Sequence, residues 1–376
     1  KPKFRLMLDV DSHAIRALIF EVPRSGEVPK VIKKMAVQLR LASGGVRTVA
    51  KMRELLLATL KILERVPDQV IVGVGPSIAE YALQQWSVPI IPGKKPFSSK
   101  DLEDQFEELL RMHKGAGEVA SAVPISLKAN GYPATVADIM HSHVTSLAFM
   151  VFSMSFSKDV GSAFVNAKNI LGGLSLEFVP SAFVLAEGVR DAQKIAHALI
   201  VEVNDAETML ILLKGGAIAA YSVFSSGVAN FARRISDRRG FIHEEAKDTI
   251  RQMSYGIGLV GDSQKMEEMT ASAFLGWKKK FLESLDSLYC QGPLSGDVFL
   301  LGEGARIPSL RSYLGTGEWL QDISYVSSPR LLLLDAPSFF EGRSLGGALE
   351  GLEDARLAAL VHYSLFHKPI FWYNED

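Results

Sequence analysis

FRLMLDVDSHAIRALIFEV, residues 4–22, and ALIVEVNDAETMLILLKGGAI, residues 198–218, are two versions of one pattern. Each runs from an apolar strand carrying an acid, through a short polar turn, into a returning apolar strand. The acids are Asp9 in Leu8-Asp9-Val10 and Glu202 in Val201-Glu202-Val203, 193 positions apart in a chain of 376 residues. A repeat at half the chain length predicts two similar α/β lobes, each offering a hairpin turn to a shared cleft.

The segments around the two copies extend the α/β reading. After the first copy, Met52, Leu55, Leu56, Leu60 and Leu63 recur on one helical face. QVIVGVGPSIAEY then reads as a strand, a Gly-Pro turn and a helix starting at Ser77. PGKKPFSSK resembles a linker, and Ser98 with Asp101 has capping-box spacing for a helix carrying Leu102, Phe106, Leu109 and Leu110. A β-like run (SAVPISLKANGYP), an apolar strand (Val144 to Phe156), a helix ending at Gly172-Gly173 and a strand (LSLEFV) complete a small β/α unit. Past the second copy the chain turns helical, with Met266, Met269, Ala273, Phe274, Trp277, Phe281, Leu285 and Leu288 as a buried stripe. It returns to α/β in DVFLLGEGARIPSLRSYL.

Composition sets outer bounds. The chain is 48% hydrophobic and 22% charged with a formal charge of -1, so it can bury a sizeable core and offers no electrostatic case for nucleic acid. Its single cysteine, Cys290, rules out an internal disulfide and is read as packed. No stretch is long and apolar enough for a bilayer-spanning helix.

The turns carry the candidate chemistry. A phosphate held between two hairpin turns needs backbone N–H groups aimed at it and small residues around it. An acid at each strand end can hold the waters of Mg²⁺, and a third, Gly-rich turn can lie against a purine. Asp9, Glu202 and Gly302-Glu303-Gly304 occupy those three places.

In order and spacing, these motifs resemble the bacterial actin-like proteins of the FtsA and PilM type. DVDSHAIRALIFE resembles that family's first phosphate loop, VEVNDAETMLILLKGGAI its second, and FLLGEGARIPSLRSYL its adenosine loop. KANGYP with the following strand and helix resembles the SHS2 subdomain inserted into the first lobe. SSGVANFARRISDRRGFIHEEAKDTIRQMSYG, with Glu244-Glu245-Ala246, resembles the segment after the second loop. The resemblance implies an actin-like (ribonuclease H-like) α/β fold. Residues 1–90 and 180–196 would form the first lobe, 91–179 an inserted SHS2-type subdomain, and 197–376 the second lobe with a helical subdomain at about 230–292. It also implies ATP with Mg²⁺, with Asp9, Asp11, Ser12, Glu202, Asn204, Thr208, Gly302 and Gly304 around the nucleotide and Asp9 and Glu202 serving the metal.

The turns depart from the family pattern. Where the first loop has glycine this chain has Asp11, and the second reads Glu202, Val203, Asn204, Asp205, Ala206, Glu207 instead of Asp-x-Gly followed by small residues. Each added carboxylate near a triphosphate costs about a few kcal/mol at an effective dielectric near 20. Either the acids recruit a further divalent ion and ATP binds, or the site is degenerate and the fold is kept for its surfaces. The expected function is a cytoplasmic scaffold at the inner face of the cell membrane, of the FtsA kind in cell division. The alternatives are a PilM-like pilus assembly scaffold and an active ATPase that polymerises with nucleotide. Expected partners are other assembly proteins engaged through the inserted subdomain, with self-association and peripheral membrane contact as further options.

Three features stand apart. His141 and His143 would share a face on a strand and form half a metal site. Arg233, Arg234, Arg238 and Arg239 mark a solvated helix end, with an anionic partner or membrane surface as the functional option. Ile370, Phe371, Trp372 and Tyr373 form an aromatic tail that suits a lipid interface, a docking peptide or packing back on the protein.

Overall fold

The opening hairpin forms as its apolar pattern requires, β1 (Phe4–Val10) against β2 (Ala14–Glu21), with Asp9 opposite Arg16. The computed structural model describes residues 3–367 apart from 24–26, 40–44, 64–66, 89–97, 116–118, 142, 171–175, 255–261, 290–291, 322, 344 and 346. Most of the linker-like 92–100 segment, Gly172-Gly173, Cys290 and the aromatic tail therefore lie outside the described residues. The chain continues through β3 (Lys30–Gln38), α1 (Gly45–Leu63), β4 (Gln69–Val74) and β5 (Glu80–Val88). Next come α2 (Ser99–Gly115), β6 (Ser121–Ala129), β7 (Tyr132–Ala134), α3 (Val136–His141), β8 (Leu147–Ser155), α4 (Lys158–Ile170), β9 (Leu176–Pro180) and α5 (Ser181–Gln193). The second half runs β10 (Ala198–Val203), β11 (Thr208–Lys214), β12 (Ala217–Phe224), α6 (Val228–Arg239), α7 (His243–Ser254) and α8 (Asp262–Tyr289). It ends with β13 (Asp297–Leu301), α9 (Pro308–Thr316), β14 (Arg330–Leu333) and α10 (Ala355–Phe366).

The duplication is explicit in the sheets. One has the order β3-β2-β1-β4-β9 and the other β12-β11-β10-β13-β14, two antiparallel pairings followed by two parallel ones in each. The interior strands β4 and β10 are near-continuous apolar runs, as expected of strands with a parallel neighbour and cover on both faces. Contacts divide the chain into two units, one drawn from Lys1–Glu187 with Leu360–Asp376 and the other Gly188–Ala359. The chain leaves the first unit within α5 and re-enters it within α10.

A third sheet, ordered β5-β8-β6-β7, belongs to the first unit. Its core joins Trp86, Phe149, Val151 and Leu127 to Leu102, Phe106 and Leu109 of α2. The capping box holds as the spacing requires: the Ser98 amide donates to Asp101 Oδ2 at 2.8 Å and the Asp101 amide donates to Ser98 Oγ at 3.1 Å. The sheet begins at Glu80, ahead of position 91, whereas α4 packs beside α1 and β9 pairs with β4 in the main sheet.

Two sequence expectations are corrected. No helix starts at Ser77: Gly75 closes a single turn, accepting from the amides of Ile78 and Ala79, and β5 follows. Burial of Tyr81, Trp86 and Val88 in sheet register outweighs the helix-like turn signal. His141 and His143 do not share a strand, since α3 ends at His141 and His143 lies exposed in the following loop.

Candidate functional site

In the first unit, Asp9 is buried on β1 and its Oδ2 accepts from Arg16 Nη1 at 3.1 Å. Hairpin register places that arginine directly opposite the acid. The turn that follows is held from inside. The Asp11 amide donates to the Ala14 carbonyl at 3.0 Å, and Asp11 Oδ1 accepts from Ser77 Oγ at 2.7 Å. The Ser12 amide donates to Ser77 Oγ at 3.0 Å, and Ser12 Oγ reaches Asp11 Oδ1 at 3.3 Å. The Ser12 amide is thus spent on a serine hydroxyl.

In the second unit the same logic is stronger. Glu202 is paired with Arg356 of α10, with Nε to Oε1 and Nη2 to Oε2 both at 2.9 Å. Both side chains are 2% exposed. A guanidinium fork on a carboxylate uses the oxygens that waters of a bound cation would need. Thr208 is fully buried, its hydroxyl donating to the Ser226 carbonyl at 2.7 Å and accepting from Trp277 Nε1 at 2.8 Å. Its side chain belongs to the core under the turn and presents nothing at the turn's surface.

The N-terminus of α6 lies under this turn. Helix N-termini attract anions through their unpaired amides. Here the amides of Val228 and Ala229 donate to the carbonyls of Asn204 and Asp205 at 2.9 and 2.8 Å. The turn's own backbone therefore fills an anion position. Asp205 pairs in addition with Lys247 of α7 at 2.7 Å.

The Gly-rich turn closes on the second turn. Gly302 has φ +87°, and a Cβ there would meet the Val203 carbonyl oxygen at 2.5 Å and Asn204 Oδ1 at 3.1 Å. At Gly304 an added Cβ would lie 2.1 Å from Val203 Cγ1. Both glycines thus serve backbone approach between the two turns. Beside them Arg251 of α7 comes within 4.0 Å of Glu303, and Arg306 binds Glu353. With Val228, Lys247 and Ile250, these four charged residues line a small depression.

Of the sequence candidates, Asp9, Asp11 and Ser12 come together in the first unit, and Glu202, Asn204, Thr208, Gly302 and Gly304 in the second. Asn204 forms the turn, its amide donating to the Glu207 carbonyl at 2.9 Å. Sequence reading missed Arg16, Ser77, Lys247 and Arg356, the groups that satisfy the acids. One signal was present: Arg356 is a lone base in the apolar run Leu357–Val361 and its neighbours, and buried arginine requires a partner.

No family model matches the sequence, and no curated protein matches it either. Solved structures do. A PilM-PilN type IV pilus biogenesis complex matches over 96% of this chain and 99% of that one, with TM-score 0.61 and 15% identity. The ethanolamine utilization protein EutJ from Carboxydothermus hydrogenoformans matches over 98% and 91%, with TM-score 0.47 and 12% identity. MreB5 of Spiroplasma citri bound to ADP matches over 96% of each chain, with TM-score 0.49 and 8% identity. The doubled sheet order and the PilM likeness identify the actin-like two-lobed α/β fold.

Proposed function

We propose that this chain is an actin-like assembly scaffold that works without nucleotide, of the pilus-biogenesis kind rather than the division kind. The bidentate Arg356–Glu202 pair carries the reading. An internal guanidinium stands where the fold's chemistry asks for a cation bound through water, and Arg16 does the same for Asp9. The residues present do not suit a magnesium-bound nucleotide: both acids are neutralised, and the turn's own carbonyls cap α6. Thr208, the candidate phosphate contact of the second turn, is committed to the core. Added acids that would repel a triphosphate are matched by Ser77 and Lys247. The pilus branch is preferred over FtsA-like division because the PilM structure, solved as a complex with PilN, aligns with this chain nearly end to end. On this reading the chain recruits a partner protein at the cytoplasmic face of the membrane, through the small sheet β5-β8-β6-β7.

The test is calorimetric titration of the purified chain with Mg-ATP and with ATP alone. The expected result is no binding heat up to millimolar nucleotide. Micromolar affinity that requires Mg²⁺ and is lost in Glu202→Gln would overturn the proposal in favour of a nucleotide-switched polymer.

A further inference from the structure

Helices α6 and α7 are joined by three residues, 240–242, and pack side by side. Gly240 ends α6 in the left-handed region at φ +69°, its amide donating to the Ser236 carbonyl at 2.8 Å. The Ser236 hydroxyl donates to the Phe241 carbonyl and ties the connection down. So short a connection makes the helices antiparallel neighbours, level with each other at the turn. Their inner sides belong to the core: Phe231, Ala232 and Ile235 from α6, Ala246 and Ile250 from α7.

Their outer sides carry opposite charges. α6 exposes Arg233, Arg234, Arg238 and Arg239 against a single acid, Asp237. α7 exposes Glu244, Glu245 and Asp248 in its first two turns, while Lys247 among them is buried on Asp205. Arg234, Arg238 and Glu244 have no ion-pair partner among the described residues. Asp248 pairs with Arg251 at 3.0 Å, with both side chains well exposed, and such pairs are worth little. The charges also match in height. Arg238 lies one residue inside the end of α6 and Glu244 one inside the start of α7. Arg234 and Asp248 each lie five inside. At 1.5 Å per residue the first two stand about 1.5 Å from the turn and the second two about 7.5 Å.

We propose that the outer face of α6 and α7 is a self-association surface, on which a second copy docks the same face about a two-fold axis. With that axis in the interface, running along the hairpin between its helices, α6 of each copy lies over α7 of the other. The rotation keeps every residue at its own distance from the turn. Arg238 therefore meets Glu244 of the partner subunit, Arg234 meets Asp248 of the partner subunit, and symmetry makes each contact twice. One level opposes like charges, Asp237 and Glu245, and there Glu245 Oε2 is held by the Ile242 amide at 3.2 Å. A second copy is the occupant that matches both stripes at once. An anionic bilayer would suit the arginines but would meet the acids of α7 beside them. The inference is independent of the nucleotide reading, since none of Arg234, Arg238, Glu244 and Asp248 belongs to the turns described above.

The experiment is sedimentation velocity of the full chain over a hundredfold concentration range, at low and high salt. A monomer–dimer equilibrium is expected, weakened by salt because the pairs are exposed. Arg234→Glu with Arg238→Glu makes both stripes acidic, and Glu244→Arg with Asp248→Arg makes both basic. Each double variant, its fold checked by circular dichroism, should raise the dissociation constant by about tenfold or more. Mixing the two should restore a dimer, because each supplies the charge that the other lacks. A wild-type monomer at every concentration overturns the proposal, as does a dimer indifferent to both double variants. Two folded monomeric variants that stay apart when mixed also overturn it. Should a charge reversal fail to fold, Arg234→Gln with Arg238→Gln takes its place, and undiminished dimer affinity then has the same force. Binding to phosphatidylglycerol vesicles without any dimer in solution would assign the face to a membrane and likewise overturn the proposal.

Discussion

Arg356 of α10 holds Glu202 of β10 through two parallel hydrogen bonds of 2.9 Å, 154 positions apart in sequence and almost wholly out of solvent. A buried ion pair is weak evidence of net stability, because desolvating two charges offsets much of their attraction. Breaking one side of it is a different matter. Arg356→Met leaves an uncompensated carboxylate and is expected to cost about 3–5 kcal/mol. Pairing that change with Glu202→Leu removes the stranded charge and should restore most of the loss. Urea unfolding followed by the fluorescence of Trp277 and Trp319, both buried in the same unit, measures the cycle. If Arg356→Met alone were neutral, the pair would not be the structural clamp described.

Thr208 separates the two readings of the second turn. A threonine that touches phosphate can lose its hydroxyl at little cost to folding, whereas this one accepts from Trp277 and donates to Ser226 inside the core. Thr208→Val keeps the shape and strands a buried indole N–H. The expected loss is about 1–3 kcal/mol of stability, with a shift in Trp277 emission. No change in either would place the hydroxyl at the turn's surface after all.

The turn before α3 gives a pH-dependent prediction. The Thr135 amide and hydroxyl both donate to Asp138 Oδ2, at 2.8 and 2.7 Å. These bonds, the backbone one first, hold the Asp138 carboxyl below its ordinary range. A depressed folded pKa stabilises above the unfolded value and loses that contribution as pH falls through the folded one. Carbon-detected NMR titration should therefore find Asp138 ionising below the ordinary aspartate midpoint of 3.8. In Thr135→Ala the midpoint should move back up toward it.

How far the sequence speaks differs between fold and site. The duplication was legible because strand and helix periods are local properties, whereas the limits of the small unit were not: β5 belongs to the small sheet although it lies before position 91, and α4 and β9 pack with the main sheet. The capping box at Ser98 and Asp101, local like the periods, could be read. Local reading failed at Ser77, where Gly75-Pro76 suggests a helix start and tertiary burial of Tyr81 and Trp86 draws the chain into a strand. The turns showed lost glycines and gained acids, but their charge balance was hidden. Asp205 meets Lys247 through α7 and Glu202 meets Arg356 through α10, and no spacing rule connects partners so distant. The acids could be seen; the bases that neutralise them required the fold.

The small sheet supplies the last prediction, because its limits decide what can be removed. Residues 91–179 are not a separable block: excising them takes β9 from its place beside β4 and α4 from its place beside α1, and leaves β5 without β8. Residues 80–155 hold β5, β6, β7 and β8 together with α2 and α3, and the core of Trp86, Phe149, Leu102 and Phe106 goes with them. Tyr81 is one tie to the main body, through its hydroxyl to the Val74 carbonyl and to Ser181 Oγ, beside the packing of β6 and β8 on β9. Replacing 80–155 by a short Gly-Ser linker should leave a cooperatively folding remainder, seen by circular dichroism. It should abolish co-purification of any partner protein that the full chain is found to capture. Capture at full strength by the shortened chain would move the recruiting surface off the small sheet, to the main body of one unit or the other.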